Sequence, residues 1–232
     1  KDPLHEGAPG HGCGHNLFGV ASLGAAVAIK ELIAAGKLKG TVRFYGTPAE
    51  EKFFGKLWMI RAGLFDDVDV VMDWHPGAET KANVQSSLAL VDFMVEFEGQ
   101  AAHASGDPWN GRSALDAVEM MNYGVNLMRE HIYPSTRIHY VIPNAGEAPN
   151  VVPEYAKVWY YVRDTSRSNV EKYYDRILKI AEGAALGTAT THKVKLITGV
   201  HEYNLNKPML EAIQANLQIV GPPVFTDEEQ QW

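Results

Sequence analysis

The strongest constraint on the fold is a two-residue period between residues 87 and 98. Apolar side chains occupy every second position, with Val91, Phe93, Val95 and Phe97 on one face and acidic residues among the positions between them. This alternation is typical of a strand in a sheet that has one face on a core and one face in water. The sequence therefore predicts an antiparallel sheet in this part of the chain.

The segments after this strand complete a recognisable order of elements. Composition and turn residues predict a helix at 112–129, strands at 136–142 and 155–163, a helix at 169–185 and a strand at 192–200. The order βαββαβ is that of the split, ferredoxin-like α+β module. We assign residues 85–201 to this module and expect it to be inserted into another domain, because residues 208–218 again favour a helix.

The segments before residue 85 have a different pattern. Helices are predicted at 17–35 and 54–62, and strands at 41–46 and 68–74. Alternating helices and strands predict βαβ crossovers and a parallel sheet. We therefore expect an α/β domain, present in part, that covers 1–84 and continues at 202–232. The apolar segment 17–35 contains Ser22, Lys30 and Glu31, so we interpret it as a buried helix rather than a membrane span.

Composition limits the kinds of molecule that the chain is expected to bind. The formal net charge is −7 and the chain has no dense lysine or arginine run, which argues against a nucleic-acid partner. A small molecule is the better expectation, and we expect no membrane partner. A single cysteine cannot form an intrachain disulfide, which favours the cytoplasm. Neither end of the chain resembles a natural terminus, so we expect a fragment.

Three clusters of polar residues lie in predicted loops next to strands and a helix, where α/β folds usually carry their functional residues. They contain Cys13 with His15, the adjacent pair Glu50 and Glu51, and His75 in the segment DWHP. Loops beyond the carboxyl ends of strands converge on one crevice, so these clusters can meet. Thiolate, imidazole and carboxylate are ligands of zinc and neighbouring metals. One glutamate of the pair would bind metal and the other would accept a proton from water.

Other interpretations of Cys13 stay open at this point. A lone cysteine is often a small buried residue of the core. A catalytic nucleophile is the weaker alternative, because no oxyanion hole is identifiable in the sequence. As a metal ligand, Cys13 would benefit from the following helix, whose N-terminus is expected to lower the pKa of the thiol.

Several motifs together resemble a known family. They are GHGCGH at 10–15, TPAEE at 47–51, DWHP at 73–76, QAAHAS at 100–105 and PNVVP at 149–153. In this order they are similar to the amidohydrolase branch of the aminoacylase/carboxypeptidase metallopeptidase family, and within it to the p-aminobenzoyl-glutamate hydrolases. The resemblance runs along the whole chain. It implies a catalytic domain with an inserted ferredoxin-like dimerisation or lid domain.

The resemblance also implies roles for individual residues. Two divalent metal ions, zinc or manganese, would be bound by Cys13, His15, Glu51 and His75. Glu50 would be the general base. His103 would stabilise the oxyanion in the active site of a partner subunit, and Asn150 and Arg163 would hold a carboxylate of the substrate.

The activity implied is hydrolysis of the amide of an N-acyl or N-aroyl amino acid, with p-aminobenzoyl-glutamate or a related folate catabolite as the leading substrate. An N-acetyl amino acid or a dipeptide is the alternative substrate, and a non-catalytic assembly or binding module is the alternative of another class. The implied partners are a second copy of the chain, bound through the inserted domain, and a homologous A-type subunit.

Two departures from the family pattern bear on the site. Asn16 stands where the branch commonly has aspartate. The family's remaining metal ligand is a histidine farther towards the C-terminus, so we expect the chain as it stands to lack a complete metal site and to be inactive.

Overall fold

The computed structural model describes residues 3–8 and 10–231, so the first two residues, Pro9 and Trp232 lie outside the described residues. The chain divides into two compact units. Unit 1 comprises Lys1–Ala82 and Ile213–Trp232, and unit 2 comprises Asn83–Ala212. Unit 1 thus consists of two separate segments, one before and one after unit 2 in the sequence.

The described residues form seven α-helices and four strands. The helices are α1 (His15–Ala34), α2 (Glu50–Phe53), α3 (Gly55–Arg61), α4 (Ala114–Met128), α5 (Arg167–Thr188), α6 (Lys207–Val220) and α7 (Asp227–Gln230). The strands are β1 (Ala89–Glu98), β2 (Arg137–Asn144), β3 (Tyr155–Asp164) and β4 (Thr191–Val200). Every helix and strand predicted between residues 85 and 201 is present, with ends shifted by three residues or fewer.

Unit 2 is built on one antiparallel sheet with the strand order β2-β3-β1-β4. The central strand β1 pairs with β3 and β4, and β3 pairs with β2. The register places Phe93 opposite Tyr160 and Val95 opposite Val158. The βαββαβ order of a ferredoxin-like module is therefore present, as the alternating pattern predicted.

The core of unit 2 lies between the sheet and the two helices α4 and α5, which contact β1 and β3. The alternating apolar residues of β1 face this core, and Phe93 stacks on Tyr160 with ring centroids 5.6 Å apart. The hydroxyl of Tyr160 donates to Oδ1 of Asn122 on α4, so a buried polar pair joins helix and sheet. Burial raises the pKa of Tyr160 strongly, which keeps this hydroxyl protonated.

The opposite side of the sheet, which we call the open face, carries no helix of unit 2. Along β3 it presents the half-buried side chains of Trp159, Tyr161 and Arg163, which alternate with core residues. The neighbouring strand β2 contributes Arg137 and His139, which are exposed. Aromatic and cationic groups are thus concentrated at one corner of this face.

In unit 1, α1 ends as the sequence predicts but is not buried. Gly36 adopts φ of 69°, and its amide donates to the carbonyl of Ile33, which closes the helix. The expectation of a buried helix is wrong for the described residues, because no residue of α1 is buried. By length and composition α1 also qualifies as a candidate membrane span, contrary to our expectation, although core helices of soluble proteins meet the same criteria.

The two strands predicted in unit 1 are not formed, so the described part of unit 1 contains no parallel sheet. Residues 41–46 and 68–74 have strand composition but form no ladder. Side-chain contacts fix the first segment instead. Arg43 pairs with both carboxylate oxygens of Asp67, and the hydroxyl of Tyr45 donates to the carbonyl of Leu64 over 2.8 Å. Strand composition alone does not make a strand, because a ladder needs a neighbouring backbone.

Candidate active site

Three potential metal ligands of unit 1 lie together. The donor atoms of Cys13, His15 and Glu51 are all within 4.8 Å of one another, and the three residues are exposed. Cys13 is therefore not a buried core residue. The thiol precedes α1, His15 is the first residue of that helix, and Glu51 lies in α2. Residues 36 positions apart in the chain thus meet at the starts of two helices.

Both glutamates, Glu50 and Glu51, lie close to the His15 ring. Nε2 of His15 lies 3.4 Å from Oε1 of Glu51 and 3.6 Å from Oε2 of Glu50. The preceding residue, Ala49, has φ of 58°, a left-handed conformation that is uncommon for residues other than glycine. This turn starts α2, which the sequence did not predict, and it presents both carboxylates from one helical turn.

His75 completes the group from a third segment. Its Nε2 lies 3.3 Å from Sγ of Cys13, and its Nδ1 donates to the carbonyl oxygen of Pro76 over 2.8 Å. Since a carbonyl only accepts, the proton is on Nδ1 and the lone pair of Nε2 faces the thiol. Gly14 makes the close approach possible, because a Cβ there would lie 2.9 Å from Cγ of Pro76.

An aromatic residue that sequence reasoning missed orders the two imidazoles. The Phe18 ring meets His15 at 5.1 Å and His75 at 5.2 Å, both edge to face. It also contacts Trp74, whose indole Nε1 donates to Ser22 on α1 over 3.2 Å. The signal in the sequence was the spacing of Phe18 three residues after His15, which puts both on one face of α1.

The environment of the thiol differs from the expectation based on the helix alone. Partial desolvation, followed by the carboxylates of Glu51 and Glu50, raises the pKa of Cys13. The prediction of a lowered pKa is therefore wrong for the protein without a cation. A cation at this place would oppose the desolvation and the two carboxylates and would favour the thiolate.

The donor set suits divalent metal ions. Thiolate, imidazole and carboxylate are together the ligand types of zinc, and a carboxylate also accepts manganese. The lone pair of His75 Nε2 faces the same thiol, which adds a fourth donor to the group of three. Cys13, His15, Glu51 and His75 therefore fit a metal, and Glu50 lies beside this group, 3.6 Å from His15.

His103 and Asn150 lie in unit 2, on two short segments that pair with each other. His103 bridges to Val151, and the amide of Ala104 donates to the carbonyl of Asn150 over 3.0 Å. Nδ1 of His103 accepts from the amide of Gly106 over 3.0 Å, which places the ring proton on the exposed Nε2. The imidazole is thereby fixed as a hydrogen-bond donor to solvent or to a ligand.

Arg163 also lies in unit 2, near the end of β3 on the open face. Its guanidinium carbon is 5.4 Å from the centre of the Tyr161 ring. Its Nε is buried and has no hydrogen-bond partner among the described residues, and the structure records no ion pair for this side chain. An arginine held over an aromatic ring without an acid is suited to bind a carboxylate.

Comparison with known proteins assigns the family. Residues 88–189 match the peptidase dimerisation domain of the M20 family. The chain is 44% identical over 224 residues to the B subunit of p-aminobenzoyl-glutamate hydrolase from Escherichia coli, covering 96% of this chain and 47% of that protein. Residues 88–189 belong to the M20 peptidase dimerisation domain family. The resemblance predicted from the motifs is confirmed.

Two further comparisons extend the match. The chain is 34% identical over 228 residues to the Xaa-Arg dipeptidase of Mus musculus, covering 95% of this chain and 52% of that protein. The crystal structure of an aminobenzoyl-glutamate utilization protein from Klebsiella pneumoniae superposes with a TM-score of 0.56 at 24% identity, covering 66% of this chain and 40% of that one. The chain spans about half the length of the curated relatives it matches.

Proposed function

We propose that the whole protein is a metal-dependent amidohydrolase whose metal ligands include Cys13, His15, Glu51 and His75. The observation that carries this proposal is the meeting of thiol, imidazole and carboxylate donors within 4.8 Å at the starts of α1 and α2. When bound, two divalent ions, zinc or manganese, would polarise the amide carbonyl and lower the pKa of water. The described donors account for part of such a paired site.

Glu50 is the general base in this proposal. It lies beside the ligand group at 3.6 Å from His15, whereas Glu51 is the glutamate within the group of three donors. A free carboxylate at this position can accept a proton from water and deliver it to the leaving amine. His103, with its proton on Nε2, is suited to donate a hydrogen bond to an oxyanion, and we propose that it does so in the active site of a partner subunit.

The substrate proposed is an N-acyl or N-aroyl amino acid, with p-aminobenzoyl-glutamate or a related folate catabolite as the leading candidate. The relative from E. coli, at 44% identity, supports this choice. Arg163, unpaired on the open face, supports a carboxylate in the ligand, and Asn150 would assist it. The Xaa-Arg dipeptidase at 34% identity supports the alternative of a dipeptide substrate.

We also propose that the protein forms a homodimer through unit 2, in the cytoplasm. The match of residues 88–189 to a peptidase dimerisation domain supports the dimer. Because the E. coli relative is named as a B subunit, a homologous A-type subunit is a second candidate partner. Analytical ultracentrifugation of the full-length protein tests the dimer, and a monomer would also remove the proposed role of His103 in a partner subunit.

Replacement of Glu50 by glutamine tests the mechanism. In the full-length protein with manganese or zinc, Glu50→Gln should reduce turnover of p-aminobenzoyl-glutamate by about a hundredfold or more, because the amide cannot accept the proton. Bound metal, measured by elemental analysis, should remain. Glu51→Gln should lower the metal content instead. The control is Glu31→Gln on the exposed side of α1, which should change neither quantity.

Two outcomes would contradict the proposal. If Glu50→Gln turned over at the rate of the unaltered protein, Glu50 would have no part in the reaction. If the full-length protein bound no divalent metal and hydrolysed no amide, the alternative of a non-catalytic assembly module would be favoured.

A further inference from the structure

The positive charge of Arg163 is not neutralised within the described residues of unit 2. Two acids lie near it in the sheet, and both are engaged elsewhere. Asp92, on the same open face, accepts a hydrogen bond from Nε1 of Trp159 over 2.5 Å. Asp164 points to the core side, where Thr136 Oγ1 and Asn169 Nδ2 donate to it over 2.6 Å and 2.9 Å.

Asp92 is moreover a weak source of negative charge. It is fully buried, and its Oδ2 has no hydrogen-bond partner among the described residues. Burial raises the pKa of this carboxyl against the opposing effects of Trp159 and Tyr161, which shifts it towards its neutral form. The Arg163 guanidinium therefore keeps its charge without a partner acid on its own face of the sheet.

A second arginine stands beside the first. The register places Arg137 of β2 directly opposite Arg163, and His139 directly opposite Tyr161, so all four side chains share the open face. Like charges at directly opposed positions destabilise a sheet. Burial, and then the charges of Arg163, Arg129 and Arg137, lower the pKa of His139. This corner of the sheet is thus positively charged in the absence of a ligand.

The local structure fixes Arg137 in this position. Its Nη1 donates to the carbonyl of Thr136 over 2.9 Å and also to the carbonyl of Pro134. The turn that carries these carbonyls is itself held by Asp164, which accepts from Ser135 and Thr136. A guanidinium has five donors, so these two bonds leave others for a ligand.

We propose that Arg163 and Arg137 together form a binding site for the two carboxylates of a dicarboxylic amino acid such as glutamate. Arg163, supported by the Tyr161 ring, binds the α-carboxylate. Arg137 binds the side-chain carboxylate and thereby selects glutamate over its neutral analogue. The two strands are about 4.8 Å apart. The Arg163 guanidinium leans over Tyr161. That of Arg137 leans the other way, towards the carbonyls of Pro134 and Thr136, which suits two separate carboxylates of one ligand rather than a single shared one. The inference rests on the proposed amidohydrolase function and names the residue that sets its specificity.

The test compares two substrates of almost equal size, p-aminobenzoyl-glutamate and p-aminobenzoyl-glutamine, with the full-length protein and its metal. The unaltered protein should prefer the glutamate compound in kcat/KM. Arg137→Gln should reduce that preference by about tenfold to a hundredfold, through KM for the glutamate compound, because one charge-assisted contact is lost. Arg137→Lys, which keeps the charge, should restore part of the preference. Lys195→Gln, an exposed cation of β4 on the same face, is the matched control and should leave the preference unchanged.

The outcomes separate the two proposals. Hydrolysis of both substrates with the same preference in Arg137→Gln as in the unaltered protein would overturn the role of Arg137 and leave the amidohydrolase standing. If neither substrate were hydrolysed, the proposed function would fail, and calorimetry with N-acetylglutamate and N-acetylglutamine would decide the binding site by itself. Weaker binding of N-acetylglutamate alone in Arg137→Gln supports the site, and equal binding of both ligands overturns it.

Discussion

Replacement of Gly14 by alanine tests whether the turn between Cys13 and His15 holds the candidate site together. Gly14 has φ of 84° and ψ of 22°, a left-handed conformation, and an added Cβ would lie 2.9 Å from Cγ of Pro76. Pro76 follows His75 directly, and its carbonyl accepts the bond that fixes the His75 ring. A single methyl group therefore acts on three of the four proposed ligands at once.

The magnitude follows from two costs and one gain. A left-handed conformation costs alanine about 1–2 kcal/mol. Overpacking against the rigid proline ring adds about 1–3 kcal/mol. Reduced freedom of the unfolded chain returns about 0.4–1 kcal/mol. The net cost is about 1–4.6 kcal/mol. If the turn relaxes by moving Cys13 away from His75, this cost appears as a loss of metal affinity of about fivefold to two-thousandfold.

The assay is isothermal titration of the full-length protein with zinc, together with urea denaturation. Gly19→Ala in α1 is the matched control, because a Cβ there meets nothing within 4 Å. Alanine has the higher helix propensity, so this control should keep or slightly raise stability and leave zinc affinity unchanged. Gly14→Ala with unchanged stability and unchanged zinc affinity would refute the role assigned to the turn.

Three further predictions concern the core and the thiol. Burial raises the pKa of Asp164, but its hydrogen bonds outweigh burial and hold the pKa below its ordinary value. The ionised carboxylate therefore stabilises the fold above the ordinary pKa, and this contribution is lost as pH falls through the lowered pKa. Urea denaturation from about pH 7 to pH 2 should show a decrease in the free energy of unfolding that is absent in Asp164→Asn. Tyr160→Phe removes the donor to the buried Oδ1 of Asn122 and should lower the free energy of unfolding by about 1–3 kcal/mol. Tyr140→Phe on β2 should lower it by less than about 0.5 kcal/mol in the same denaturant measurement. An alkylating reagent should modify Cys13 in the metal-free protein, as measured by mass spectrometry. Saturating zinc should slow this reaction at least about tenfold, because a metal-bound thiolate is not free to react. Equal rates with and without zinc would exclude Cys13 as a ligand.

The fold of unit 2 was predictable because its pattern is local and its pairings are antiparallel. The alternation along β1 identifies the side of the strand that faces the core, and the helical segments around it leave few ways to cover that side. Unit 1 was less predictable. Residues 68–74 have the composition of a buried strand, yet they are exposed for the most part and form no ladder in the described structure. Pairing depends on a neighbouring strand, which a single segment does not encode.

The candidate ligands were predictable for a different reason. Cys13, His15, Glu51 and His75 are residue types that bind metals, and each follows a segment boundary, so type and position already suggest one site. Phe18 was missed because an aromatic residue in an apolar helix is more often part of a core. The raised pKa of the thiol was missed because the helix was considered without the partial desolvation of the thiol and without the two carboxylates that the fold brings to it.

The corner of the open face that carries Arg137 and Arg163 shows that strand register brings together residues that composition alone does not relate. Arg137 and Arg163 are 26 positions apart, and each alone would be taken for a surface residue at a strand end. A shift of one residue in the pairing of β2 and β3 would move Arg137 to the core side and put Ile138 on the open face. The burial of Ile138 against the core opposes that shift, so an apolar contact on one side of the sheet maintains the pairing of two charges on the other. Specificity for a second carboxylate would then depend on the hydrophobic core as much as on the arginines themselves.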